Sequence, residues 1–174
     1  MNSIKVFSPA SVSNVCCGFD VLGFSINGLG DELIISESNS DKIKIKRVNG
    51  YDVPLSADEN TASVAAQSLL DFLNINRGFE IEINKNIKPG SGIGSSAASA
   101  VGAVYGVNKL LGSPLRKHEL IKFAMQGEFV SSKSAPADNV ASCLHGGLIL
   151  VNNREKYNVV NLPVPENLYA VVHH

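Results

Sequence analysis

The sequence has almost no net charge: 15 Lys and Arg stand against 16 Asp and Glu, a balance of -1 at pH 7. So even a balance gives no support for binding nucleic acid or an acidic membrane surface, and any anion must be held locally, by loop geometry or with a metal. Cysteine is scarce, with 3 residues. The neighbours Cys16 and Cys17 do not easily close an unstrained disulfide, and Cys143 stands in no zinc-like spacing, so reduced structural thiols are expected. No apolar run reaches the length that spans a bilayer. The start Met1-Asn2-Ser3-Ile4-Lys5-Val6 lacks the apolar core of a signal peptide, and a cytoplasmic location is expected. Linkers rich in Pro, Gly or Ser, low-complexity tracts and clear repeats are also missing, which leaves one compact unit as the simplest organisation.

What is present is ordinary globular composition, 44% hydrophobic and 18% charged over 174 residues. That is enough for one domain with a real core, or for part of a larger protein. The pattern is mixed α and β. Residues 4–7 and 31–37 read as strands, the second through Leu33-Ile34-Ile35. Residues 43–48 alternate Ile43 and Ile45 with Lys44 and Lys46, so one face is wet and an edge or exposed position is expected. Asn60 or Thr61 can cap a helix to about Leu73, with Val64, Leu69, Leu70 and Leu73 near one side. Residues 79–83 alternate as a strand. A helix from about Ser95 to Leu111 ends at Gly112 with Pro114 beyond, and its small residues, among them Ala97, Gly102 and Gly106, allow close approach to neighbours. A second helix is expected at residues 117–126.

Between the strand at 79–83 and the helix at 95 lies Pro89-Gly90-Ser91-Gly92-Ile93-Gly94-Ser95-Ser96-Ala97-Ala98. Glycines alternate with small residues and give way to a helix-forming run. Gly90, Gly92 and Gly94 can take backbone angles denied to other residues, so that successive N–H groups turn toward one anion, and the helix adds its unpaired N–H groups and positive dipole end. This is the pattern of a phosphate cradle. Two common phosphate folds fit it poorly. Gly92-Ile93-Gly94-Ser95-Ser96-Ala97 matches G-x-G-x-x-A, but a Rossmann unit continues to a strand ending in an acidic residue, and here a second helix follows. A Walker loop ends in Gly-Lys-Ser/Thr, and this loop has no lysine.

The ten residues also resemble the central P-x-G-x-G-L-G-S-S-A-A motif of the GHMP kinases, whose G-x-G-L-G-S-S-A-A part they match from Gly90 to Ala98 with Ile93 for Leu. Pro9-Ala10-Ser11-Val12-Ser13-Asn14 and Gly18-Phe19-Asp20-Val21-Leu22-Gly23 resemble the first motif of the homoserine kinases in that superfamily. Ala137-Asp138-Asn139-Val140-Ala141, followed by Gly146-Gly147, resembles their third conserved stretch. The resemblance implies an α+β GHMP-kinase N-terminal domain (ribosomal protein S5 domain 2-like) over residues 1–174, a mixed sheet packed with helices. Family members are longer, with a second domain. Residues 168–172 read as a buried strand running into His173-His174, so the chain is expected to be the N-terminal part, cut inside a sheet, with an exposed hydrophobic sheet face and little turnover by itself.

The same resemblance implies ATP and Mg²⁺ as cofactors and phosphorylation of the hydroxyl of the small molecule L-homoserine, in threonine biosynthesis. Other GHMP substrates, such as mevalonate or shikimate, are the alternative within enzymes, and a nucleotide-binding half without turnover is the alternative outside them. The implied ATP contacts are the loop residues from Pro89 to Ala98. The implied Mg²⁺ ligands are the Ser96 hydroxyl and the Glu128 carboxylate, the latter expected just after the second helix. Asn14, Asp20 and Asn139 are placed at the amino-acid substrate, Asp20 beside its ammonium group; otherwise Asn14 and Asp20 only cap turns. Glu128 and Asn139 are the catalytic candidates. An amide takes no proton from a hydroxyl at neutral pH, and Asp138 points elsewhere if its segment is extended, so alignment and charge neutralisation are expected to carry catalysis. A homodimer is a further expectation of the resemblance. Two positions depart from the pattern: Cys16-Cys17 replace Gly-Pro, and Pro136 replaces His. Asn60 is a candidate for adenine, with capping as its other reading.

Overall fold

Alternating burial builds a six-stranded mixed sheet from β1 (Ser3–Val12), β2 (Leu22–Ser38), β3 (Lys44–Gly50), β4 (Gly78–Lys85), β5 (Leu148–Asn153) and β6 (Asn158–Leu162). The computed structural model describes residues 2–132, 137–153, 157–167, 169 and 171. The strand order is β3-β4-β2-β5-β6, with β1 on the other edge of β2. Only β3 and β4 run parallel. β2 is the spine: its first residues pair with β5, its last seven with β4, and β1 follows it from Ser36 back to Phe24. β1 and β2 are longer than their apolar cores suggest, because their pairing continues past an irregularity between Pro9 and Ser11. Proline is tolerated at such a break, where no ladder bond from its nitrogen is needed. As expected, β3 is an edge strand with Lys44 and Lys46 exposed and Ile45 buried.

Four helices join this sheet: α1 (Thr61–Leu73), α2 (Ser95–Leu110), α3 (Ile121–Ser132) and α4 (Ala137–His145). The core comprises one side of β2 and β4, notably Leu33, Ile35, Phe79, Ile81 and Ile83, together with the inner faces of the helices. α2 lies directly on β2. A Cβ at Gly102 would stand 2.5 Å from Leu33 Cδ1, and one at Gly106 would collide with Ile35 Cδ1. Small residues in α2 therefore set how near the helix comes to the strand, as its composition predicts.

Two expectations are corrected. The helix expected at 117–126 is a 3₁₀ turn at Lys117–Leu120 followed by α3, which runs on to Ser132, so Glu128 is helical and not in a loop. The segment of Asp138 is not extended but the first turn of α4, because Ala137, Val140, Ala141 and Leu144 bury an apolar side at helical spacing. The open side of the sheet across β1, β2, β4 and β3 carries the exposed Phe7 among charged side chains. Lys5–Glu32 (2.9 Å), Lys46–Glu82 (3.0 Å) and Arg47–Glu82 (2.7 Å) lace it, and such a ladder is happy in water. Of the strand expected at 168–172, Leu168, Ala170 and Val172 lie outside the described residues, as do Pro136, His173 and His174. Tyr169 and Val171 are exposed and in no strand, with no described element packed over them. Among the described residues no helix is long and apolar enough to cross a membrane.

Candidate functional site

The glycine loop leaves β4 and enters α2 with left-handed angles at Gly90 (φ 74°), Gly92 (φ 77°) and Gly94 (φ 68°). Gly94 is the N-cap of α2, and no side chain caps that end. The contrast with α1 is instructive, since Asn60 Oδ1 there accepts the Ala62 N–H at 3.0 Å. An uncapped first turn leaves backbone N–H groups without intrahelical acceptors, and together with the dipole this favours an anion. The Ser91 hydroxyl is buried without a hydrogen-bond partner among the described residues. A cleft of 570 Å³ opens here, lined by Pro89, Gly90, Ser95, Ser96, Asn60 and Lys85, among others. A larger depression, 690 Å³, lies beside α1 and the β2–β3 turn and contains none of the three motifs.

Not every loop residue faces that cleft. Ala97 and Ala98 are fully buried in the core, and the Ala98 N–H closes onto Gly94 O at 2.9 Å. Ile93 packs against the core, and its carbonyl accepts the Ser11 N–H at 3.1 Å. The Ser95 hydroxyl turns inward and donates to Ile87 O at 2.9 Å. Ser96 is the serine beside the acid: its hydroxyl is hydrogen-bonded to the Glu128 carboxylate. Glu128 is 7% exposed, and burial pushes its carboxyl above the usual range, against the opposing pull of Ser96 and the Lys85 charge. Gly127 brings α3 this close, since a Cβ there would collide with Thr61 O. A hydroxyl and a carboxylate together suit Mg²⁺, a hard cation that takes one or two protein oxygens and keeps waters and phosphate oxygens for the rest. No group of three or more His, Cys, Asp or Glu gathers among the described residues in a way that would hold a metal.

The first and third motifs meet behind the loop. Ser11 Oγ donates to Asn139 Oδ1 at 3.0 Å, and Asn139 Nδ2 donates to Ser13 Oγ at 2.9 Å. Asp138, fully buried, accepts the N–H of Asn139 at 2.9 Å and that of Asn14 at 3.2 Å. Burial raises the Asp138 pKa and the charge of Asp20 adds to this, while the two backbone N–H groups oppose it. Asn14 and Asp20 both have positive φ, and Asn14 Oδ1 accepts the Asp20 N–H at 2.9 Å. Asn14 thus caps this turn and fixes the loop in which Asp20 sits. Asn60 is likewise a cap; its Nδ2 donates to Pro54 O at 2.6 Å, so both ends of its amide are engaged. The Cys16-Cys17 pair is exposed in the same loop, and Cys143 is buried on α4 beside Ser8.

Sequence reasoning missed the polar floor of the cleft. Lys85, from the last position of β4, is 2% exposed and pairs with the fully buried Asp31. Its ammonium also donates to Ser95 O at 2.5 Å and Ser99 Oγ at 2.8 Å. Burial lowers the Lys85 pKa, and the Asp31 carboxylate opposes that. The signal was available: Lys85 continues the buried positions Phe79, Ile81 and Ile83, as Asp31 precedes Leu33 and Ile35. A charge on the buried parity of a strand needs a partner.

Comparison with known proteins gives a consistent result. The model of the GHMP kinases N terminal domain matches residues 60–147. Homoserine kinase of Chlorobium phaeobacteroides (strain BS1) is 37% identical over 186 residues, covering 100% of this chain. That of Chloroherpeton thalassium (strain ATCC 35110 / GB-78) is 38% identical with the same coverage. The chain spans 58% of the length of these two relatives. The crystal structure of homoserine kinase from Cytophaga hutchinsonii ATCC 33406 superposes with a TM-score of 0.89 at 47% identity, over 96% of this chain and 54% of that one.

Proposed function

Since this chain belongs to the GHMP kinase family and carries its N-terminal domain, we propose that it forms the ATP-binding part of a homoserine kinase, which transfers the γ-phosphoryl group of ATP to the hydroxyl of L-homoserine. The observation that carries the kinase reading is the uncapped N-terminus of α2, opening on a cleft with Ser96 and its partner Glu128 at its side. Identity with homoserine kinases along the whole chain favours homoserine over mevalonate or shikimate, as does Asn139 in Ala137-Asp138-Asn139. Phosphoryl transfer asks a protein mainly for positioning and charge stabilisation. The loop amides and the first turn of α2 orient the phosphates, and Ser96 and Glu128 would hold Mg²⁺. The bound metal ion supplies positive charge at the phosphate oxygens.

Asn14, Asp20 and Asn139 face the amino acid, with the Asp20 carboxylate toward its ammonium group. Neither Asn139 nor Asp138 is suited to be a base. Asn139 is an amide, held at both ends by Ser11 and Ser13. Asp138 is sealed from solvent on two backbone N–H groups. The proton of the attacking hydroxyl therefore leaves to phosphate or water, and alignment carries the rate. The rest of the substrate site lies in the additional length that the relatives have, so the 174 residues alone bind nucleotide but turn over little homoserine.

The test is a MgATP-dependent assay of the full-length protein with homoserine, mevalonate and shikimate, in which homoserine is expected to have the highest kcat/KM by at least about tenfold. Preference for another alcohol would overturn the substrate assignment. In the same assay Asn139→Ala is expected to lower kcat/KM for homoserine by about 10- to 100-fold while changing the Kd for MgATP less than about threefold. Unchanged kcat and KM would remove Asn139 from the substrate site.

A further inference from the structure

An ammonium group has three N–H donors and no acceptor. In Lys85 all three are engaged inside the protein, by Asp31 Oδ2, Ser95 O and Ser99 Oγ. Lys85 lines the floor of the cleft, yet it has no donor left for a phosphate unless one of these bonds breaks. Its direct target is a main-chain carbonyl at the first residue of α2, one position before Ser96. Asp31 anchors the arrangement from β2. Its Oδ1 accepts the N–H groups of Asn86 (2.9 Å) and Ile87 (3.0 Å), the residues that lead from β4 into the glycine loop. The carboxylate thus holds the entrance to the loop, and the lysine holds its exit.

We propose that Lys85, anchored by Asp31, is a positioning residue of the phosphate loop, fixing the first turn of α2 through the Ser95 carbonyl so that the loop amides and the Ser96 hydroxyl are already aimed when phosphate arrives. The role rests on reading the cleft as the MgATP site. A loop with three left-handed glycines has large conformational freedom, and a rigid clamp at both ends reduces the ordering that binding would otherwise require.

The test uses the full-length protein with Lys85→Met, Asp31→Asn, the double variant and the milder Ser99→Ala. It measures thermal unfolding, hydrogen exchange of the amides at residues 94–98 without ligand, and binding of MgATP, MgADP and adenosine. Lys85→Met is expected to weaken MgATP and MgADP at least tenfold, to leave adenosine within twofold, and to speed exchange at residues 94–98. Ser99→Ala, which keeps the ion pair, is expected to weaken MgATP about threefold. The double variant, with no unpaired buried charge, is expected to melt above the less stable single variant while still binding MgATP at least tenfold more weakly than wild type. Recovery of both melting temperature and MgATP affinity in the double variant would overturn the proposal and leave Lys85 as a fold residue only. An equal loss for adenosine, or unchanged exchange in Lys85→Met, would do the same. Wild-type protein that failed to bind MgATP would overturn the cleft assignment and this role with it.

Discussion

Gly94→Ala is expected to abolish measurable nucleotide binding, weakening MgATP by at least about 100-fold. Gly94 combines two constraints that are separate elsewhere in the loop. Its φ of 68° is left-handed, which costs an alanine about 1–2 kcal/mol. A Cβ would also collide with Ser11 Oγ and come within 3.3 Å of Asn139 Oδ1. The clash pushes on the hydrogen bond that joins the first and third motifs, so the loop, the Asn139 amide and the start of α2 move together. Gly92→Ala is the control: its φ is also left-handed, but a Cβ there meets nothing within 4 Å. It is expected to weaken MgATP by no more than about 5- to 30-fold, the equivalent of that strain alone. Isothermal titration of both variants decides the matter. Equal affinities would mean that the contact with Ser11 is unimportant.

Glu128→Gln should separate catalysis from folding. The carboxylate is buried against Ser96 on α3, and desolvation makes its charged form unfavourable in the empty site. Glutamine keeps the size and an oxygen but removes the charge, so thermal stability without ligand is expected to be unchanged or raised. On the proposed assignment, a cation at Ser96 would then lose its negative ligand. A fall in kcat of at least about 100-fold is expected, with a marked rise in the Mg²⁺ concentration needed for half-maximal rate. A variant that retained the wild-type Mg²⁺ dependence would place the metal elsewhere.

The glycine loop and the helix it opens were legible from sequence because their pattern is local: three glycines, three serines and a helix start lie within ten residues. The strands around Leu33, Ile45 and Ile81 were legible for the same reason, as was the Asn60 cap. What escaped is non-local. Lys85 and Asp31 lie 54 positions apart and meet only when β2 pairs with β4. The helix expected to end at residue 126 runs on, and the missing side chain of Gly127 lets α3 cross α1. That early end put Glu128 in a loop. Ala137-Asp138-Asn139 offers no clear cap from sequence, since the bond that secures Asp138 comes from Asn14 in another element.

The three thiols stand in very different surroundings. Cys143 is buried beside Ser8, and burial pushes its thiol up to about 12, whereas Cys16 and Cys17 are exposed in the loop that holds Asn14 and Asp20. Because the thiolate is the reactive form, an alkylating reagent runs on two clocks. The fast one labels the neighbouring pair, and on the proposed function it slows when an amino acid binds beside Asn14 and Asp20. The slow one waits for Cys143 and advances only as the β1–α4 contact opens, so a single reagent reports both occupancy and unfolding without any introduced probe.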